Sequence, residues 1–311
     1  LEYNTLSAGK GGSMFNLIEK RRLYFMLSAM AIVPGLLAMM YSSLRFGTPV
    51  RLSVDFTGGS LLELEFEKPV QPSEIRRVFV EKGYGDTRVQ TTAGERTVLI
   101  RSDFLTTEDK AELESELEDA FGEFEELRFD SVGPAIGGEV TRAATFAVLT
   151  ASAFILGFIL LAFRKVPKAF RYGACAIVAM IHDILVAMGF FSILGLLRGW
   201  EVDALFLTAI LTVIGFSVQD TIVVFDRIRE NIRRRRGEPF KTIINRSILE
   251  TIHRSLATQL NAIFVMIAIL LFGGATVKQF IATLLVGMLS GTYSSIFTAV
   301  PLLVVWQEKG S

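Results

Sequence analysis

Apolar residues gather into six long runs, and one stretch between the first two departs from that pattern by alternating apolar with charged positions. The runs are Leu23 to Phe46, Ala143 to Phe163, Ala169 to Leu197, Ala204 to Phe225, Ile252 to Phe272, and Val277 to Trp306. A helix needs about 20 such residues to cross a hydrocarbon core. The pattern therefore predicts a polytopic α-helical membrane protein with six transmembrane helices. The sixth run is longer than crossing requires, which predicts a tilt, or a break near Gly287 or Gly291. The first is too long for a signal-peptide core and lacks a small-residue cleavage site, so it is read as a retained anchor. Residues 1–13 end in Gly9-Lys-Gly-Gly-Ser13 and are read as a linker before a native start at Met14, with 14–46 forming the N-terminal segment and first helix.

The alternating stretch, 47–140, reads as a separate α+β domain. Leu61 to Phe66 alternates as a strand, and Pro72 to Lys82 has helical spacing at Ile75, Val78 and Phe79 before Gly83. Arg88 to Thr92, a turn at Ala93-Gly94, and Thr97 to Arg101 predict a hairpin. A helix over Thr107 to Phe121, capped by Thr107, and a strand over Phe124 to Val132 complete the order βαββαβ. That order is the split βαβ of a ferredoxin-like sandwich, which folds without a cofactor. Nothing in it has the spacing of a nucleophile and its base, so binding or force transmission is expected, and the chain is not read as an enzyme. Two glycine motifs flank the domain: Val54-Asp55-Phe56-Thr57-Gly58-Gly59 and Ser131-Val-Gly133-Pro134-Ala-Ile-Gly-Gly138. They are either turns where the chain leaves and re-enters the membrane or a hinge between domain and membrane.

Charge changes the picture by its placement, since 32 basic and 32 acidic residues cancel. Lys20, Arg21 and Arg22 precede the first run, Arg164, Lys165, Lys168 and Arg171 fill the second connection, and Arg227, Arg229, Arg233 to Arg236 and Lys241 fill the fourth. The other short connections carry little beyond Arg198 and Lys278. By the positive-inside rule both termini are cytoplasmic and 47–140 lies on the periplasmic or extracellular side. The membrane region is then 141–306, with a basic cytoplasmic loop over 226–251 and a tail at 307–311. Within that loop, Arg227 to Arg236 is a topogenic signal beside anionic lipid or a docking point for a partner, and Glu238 to Ile252 is expected to be a short amphipathic surface helix. Cys175 is the one cysteine, which excludes an intramolecular disulfide and a cysteine metal cluster. No metal, cofactor or nucleic acid is expected.

Four polar groups sit where lipid should be. An ionised carboxylate at mid-span costs about 2.5 to 3.5 kcal/mol, so it faces a bundle interior and commonly marks an ion or substrate path. Asp220 lies about five residues before the end of the fourth run, on a face with Ser217, Thr221 and Val224. In the fifth segment Ser247, Thr251, Arg254, Ser255, Thr258 and Asn261 form a polar stripe at three- and four-residue intervals. Arg254 is at a depth that suits pairing with Asp220, with snorkelling to the interface as the other reading. His182 and Asp183 interrupt the third run near its midpoint, either bonding helices together or relaying protons.

The motifs Val54-Asp-Phe-Thr-Gly-Gly59, Ser131-Val-Gly-Pro134 and His182-Asp183 fall in that order around six spans. They are joined by Ile214-Gly-Phe-Ser-Val-Gln-Asp-Thr-Ile-Val-Val-Phe-Asp-Arg-Ile-Arg-Glu-Asn231 and Asn245-Arg-Ser-Ile-Leu-Glu-Thr-Ile-His-Arg-Ser255. Nearly the whole chain after Met14 thereby resembles the SecF branch of the SecD/SecF family, within the resistance-nodulation-division superfamily. The resemblance implies a subunit that pairs with SecD and uses the proton-motive force to help draw unfolded polypeptide from the SecYEG translocon. YajC and membrane lipid are further expected partners. It places the family's membrane carboxylate and arginine on Asp220 and Arg254, with His182 and Asp183 as further proton-coupling residues and Asp55, Gly58, Gly59, Gly133 and Pro134 as structural motif positions. Where family members commonly carry Tyr-Ser-Ile/Leu-Asn-Asp, this chain has Phe216-Ser-Val-Gln219-Asp220, and His253 replaces a residue that is more usually Ser. Two other readings fit the same residues: a proton-coupled small-molecule or lipid transporter of the superfamily, and a passive membrane scaffold.

Overall fold

A computed structural model describes residues 16–92, 96–164, 169–235 and 237–308. The expected linker, the Ala93-Gly94 turn, Lys165, Lys168 and Arg236 lie outside these described residues. After a 3-10 turn at Ile18–Lys20, the order is α1 (Arg21–Phe46), α2 (Val54–Thr57), β1 (Gly59–Phe66), α3 (Pro72–Glu81), β2 (Arg88–Thr92) and β3 (Thr97–Ser102). Then come α4 (Thr107–Phe121), β4 (Phe124–Val132), α5 (Pro134–Phe163), α6 (Ala169–Arg198), α7 (Ala204–Arg234) and α8 (Phe240–Phe272). The chain ends in α9 (Ala275–Ser294), a π-helical turn (Ser295–Ala299) and α10 (Val300–Glu308). Six of these helical stretches are long and apolar enough to cross a membrane.

The chain divides into two compact units. One is residues 51–150 with Glu201–Leu207, and the other is the remaining membrane helices. In the first, the sheet order is β2-β3-β1-β4 with every neighbouring pair antiparallel, the arrangement of a ferredoxin-like sandwich. Alternation explains it: Leu62, Leu64 and Phe66 turn to one face of the central strand, where they meet Ile75 and Phe79 of α3 and Leu113 and Leu117 of α4. Each such side chain contributes roughly 1.5–3 kcal/mol by leaving water, so Leu64→Ala alone would remove much of the unit's margin. The cap of α4 is Thr106 rather than Thr107. Thr106 Oγ1 accepts from the Asp109 backbone N–H while the Asp109 carboxylate accepts from the Thr106 N–H, a reciprocal capping box.

Three expectations for the membrane helices change. The loop expected over 226–251 is helical over 226–234 and 240–251, because α7 runs on to Arg234 and α8 starts at Phe240. The charges there neutralise one another: Arg227 bridges Glu230 and Glu250, and Arg229 pairs with Asp226, so polar helix can extend beyond the apolar run. For the same reason the expected surface helix over Glu238 to Ile252 is the first part of α8. The break in the sixth run falls at Ser295–Ala299, not at Gly287 or Gly291. Pro301 has no N–H to give the carbonyl four residues back, and the π turn absorbs that loss.

The two glycines serve close approach instead. A Cβ on Gly287 would collide with the Val213 side chain, and one on Gly291 would sit 3.3 Å from Ser217 Cα, so α9 lies directly against α7. Gly35 of α1 and Gly189 of α6 meet in the same way, each ideal Cβ 2.6 Å from the other's Cα. At one end of this unit Glu308 pairs with Arg21 and Lys241, while Asn245 Oδ1 accepts from the Leu17 N–H, so the starts of α1 and α8 and the end of α10 are tied together.

Candidate functional site

Close packing of α6, α7 and α9 brings hydroxyls onto Asp183. Its side chain is 1% exposed, near the middle of α6. Oδ2 accepts from Ser217 on α7 at 2.5 Å and from Ser294 on α9 at 2.7 Å, while Oδ1 accepts from Ser290 at 2.6 Å. His182 Nδ1 lies 3.0 Å from the same Oδ1. The ring of His182 stacks on Tyr293 with centroids 6.2 Å apart, and the Tyr293 hydroxyl donates to the Tyr24 carbonyl of α1. Both carboxylate oxygens of Asp183 are thus hydrogen-bonded, across three helices, while His182 Nε2 has no partner among the described residues. A buried network anchored by three such bonds favours one arrangement of its helices.

One turn further along α7 the surroundings are different. Asp220 is 6% exposed, and its Oδ2 accepts one hydrogen bond, from Gln259 Nε2 of α8 at 2.7 Å. Oδ1 has no partner among the described residues. Because α7 extends to Arg234, Asp220 is at mid-helix rather than near its end. Arg254 does not bond it. Its side chain is exposed and lines a cavity of about 480 Å³ with Ile222, Val223, Asp226, Glu230, Glu250 and Thr251. The helical screw explains why: Ser247, Thr251, Ser255 and Gln259 recur every four residues and are all buried, whereas Arg254, Thr258 and Asn261 lie on an adjoining exposed face. The polar stripe read from sequence is therefore two stripes. Gln259 was missed although the four-residue repeat continues to it; an opposite charge drew attention first.

The glycine motifs build a tight junction within the first unit. Ser53 caps the single turn α2, and Gly58 follows with φ +73°, a left-handed value that favours glycine. A Cβ there would lie 2.8 Å from Pro134 Cα, and one on Gly59 would lie 2.7 Å from the Ser102 carbonyl. Gly133 accepts from the N–H groups of Ile136 and Gly137, and Pro134 follows as the first residue of α5, where its missing N–H has no cost. Asp55 Oδ2 accepts from the Ala204 N–H at 2.9 Å, so the first motif caps the helix that carries Asp220. Residues 51–53 also exchange backbone hydrogen bonds with Val202, and Arg51 and Arg101 both pair with Glu201. Burial outweighs those two guanidiniums and holds the Glu201 carboxyl above the usual carboxylate range. Desolvation raises Asp203 as well.

Among the described residues no group of three or more His, Cys, Asp or Glu side chains is placed to hold a metal. Chemically the membrane unit offers one enclosed carboxylate with a full set of donors, one with a single donor, and an exposed arginine beside a polar cavity.

Comparisons with known proteins agree along the chain. A family model described as protein export membrane protein SecD/SecF, C-terminal, matches residues 112–309, and the SecD/SecF GG motif matches 46–70. A protein translocase subunit SecF of Thermobaculum terrenum is 46% identical over 95% of both chains, and one of Anaerolinea thermophila is 49% identical with the same coverage. The crystal structure of SecDF, a translocon-associated membrane protein, from Thermus thermophilus superposes with a TM-score of 0.77 at 33% identity. It covers 95% of this chain, while this chain spans only 39% of that one. A glycine motif that caps α7, a carboxylate midway along α7 and a match over nearly the full length lead to one assignment: the chain belongs to the SecD/SecF family of protein export membrane proteins, among its SecF subunits.

Proposed function

We propose that this chain is the SecF half of a SecD–SecF complex that uses the proton-motive force to assist Sec-dependent protein export across the bacterial cytoplasmic membrane. It acts on unfolded polypeptide leaving SecYEG, with YajC and membrane lipid as neighbours, and it is a transport subunit rather than an enzyme. Both termini face the cytoplasm and the ferredoxin-like domain faces the periplasmic or extracellular side. The tie between the start of α1 and the end of α10 supports a common side for the termini.

The observation that carries this reading is Asp220, a carboxylate buried midway along α7 with a single neutral hydrogen-bond donor. Loading and unloading a proton there changes a charge inside the membrane, and one charge moved through 100 mV is worth about 2.3 kcal/mol. Arg254, on the adjoining face beside the polar cavity, supplies the fixed positive charge of the pathway. Asp183 and His182 support the coupling by locking α6, α7 and α9, so that a change at Asp220 moves helices and not only side chains. The cap from Asp55 carries α7 into the external domain. Gln219, Arg254, Thr258 and Asn261 expose polar groups at membrane depth, which lipid cannot satisfy and a SecD helix would cover.

Substituting Asp220→Asn tests the reading. Gradient-driven stimulation of export in vesicles falls to the level without a gradient, while copurification with SecD and SecYEG is unchanged. Export that still responds fully to the gradient would leave the scaffold reading in its place.

A further inference from the structure

Gln259 has a capacity that the single hydrogen bond to Asp220 does not use. Its side chain is 4% exposed, Nε2 donates to Asp220 Oδ2, and the enclosed Oε1 has no partner among the described residues. Ser255, one turn earlier on the same face of α8, is 3% exposed, and its Oγ is also unpartnered. A buried polar atom left unpaired forfeits its hydration without return, so an unpaired Oε1 on the very amide that bonds a membrane carboxylate calls for a second arrangement in which it is used. A primary amide is suited to that. It donates from one end and accepts at the other, and the two ends exchange by a half-turn about one soft torsion.

We propose that Gln259 is the positioning residue for Asp220 in both of its charge states, donating through Nε2 to the carboxylate and, after a half-turn, accepting through Oε1 from the carboxylic acid. The inference rests on Asp220 being the group that loads protons. A proton delivered by water bonds to Oδ2, and the Nε2–H···Oδ2 hydrogen bond breaks as the charge it answered is lost. The amide turns, and O–H···Oε1 forms. Release to water reverses each step, with one proton in, one proton out and no change of oxidation state. The other titratable groups nearby act on neighbouring positions: Asp183 and His182 of α6 through Ser217, and Arg254, Glu250 and Asp226 around the cavity. None of them bonds to Asp220, so the amide is what senses its proton.

Infrared difference spectra of the full chain in liposomes, with carbon-13 in the glutamine side-chain carbonyls, test this across pH. As the acid band of Asp220 appears, one glutamine carbonyl band shifts, and that shift is missing in Asp220→Asn and in Gln259→Leu. In Gln259→Leu the Asp220 acid band moves to the position of a non-hydrogen-bonded acid, and gradient-driven export falls roughly tenfold, the scale of one lost charge-assisted hydrogen bond. A glutamine band that stays fixed in the native protein while Asp220 protonates overturns the inference, with no variant needed. So does an Asp220 that never protonates over the accessible pH range. The two proposals separate cleanly: if the band follows Asp220 but export ignores the gradient, only the proton-coupled reading fails. If Asp220→Asn abolishes gradient-driven export while the glutamine band does not move, only the role of Gln259 fails.

Discussion

Asp183 and Asp220 are both carboxylates enclosed midway along membrane helices, one on α6 and one on α7, and Ser217 lies between them. Three hydroxyls donate to Asp183, and the His182 imidazole lies against the same carboxylate. A single neutral amide attends Asp220, and its second oxygen is unclaimed. Burial is nearly the same for the two, so burial does not separate the two sites. The donor count does.

That contrast can be broken most forcefully at Asp183. Replacing Asp183→Leu strands the hydroxyls of Ser217, Ser290 and Ser294, with an expected loss of about 3 kcal/mol or more, read as a lowered midpoint of thermal unfolding in detergent. Asp220→Asn, by comparison, should move that midpoint by less than about 1 kcal/mol equivalent, since an amide still accepts from Gln259. Equal destabilisation by the two changes would erase the distinction. A finer probe is Ser294→Ala, which removes one donor of the set and should cost about 1 kcal/mol by the same assay without altering gradient-driven export. If Ser294→Ala leaves stability untouched but slows export, Asp183 is a working group after all.

The smallest effect extends the comparison to a carboxylate answered by cations. Glu201 is held above the ordinary carboxylate value of 4.5, mainly by burial and in spite of Arg101 and Arg51. A raised acid binds its proton more tightly when folded, so its contribution to stability is present below about pH 4.5 and is lost as pH rises through the folded value. Glu201→Gln should therefore flatten the fall in stability of the α+β unit with rising pH in that window, by a few tenths of a kcal/mol in urea titrations. A slope that persists unchanged would assign the dependence to Asp203 instead, which burial also raises.

Much of the architecture was legible because each layer has its own period. Apolar runs gave the spans, and twofold alternation in Leu61 to Phe66 gave the central strand of the sheet. Pairings across long sequence separations were not legible. Nothing local in Ser290 or Ser294 announces that both turn toward Asp183, more than 100 residues earlier. The Asp220–Arg254 pairing followed from charge alone, and the screw of α8 overrules it by putting Gln259 on the buried face. Helix ends were misjudged around 226–251 for a related reason. Hydropathy ends a span where charge begins, but Arg227, Glu230 and Glu250 satisfy one another along and between the helices and let them continue.

The Glu201 junction also bears on how the protein is made. The sheet and its core are complete once Val132 has emerged, yet the pairing of Arg51 and Arg101 with Glu201 forms only after two further passages of the chain through the bilayer. Glu201 follows Arg51 by 150 positions of sequence, with all of α5 and α6 in between. Should either helix enter in the wrong orientation, Glu201 would emerge on the opposite face of the bilayer, away from Arg51 and Arg101, and α7 would lose its bond from Asp55. The junction thus acts as an assembly checkpoint: closure of the folded domain certifies that the helices made after it were threaded correctly.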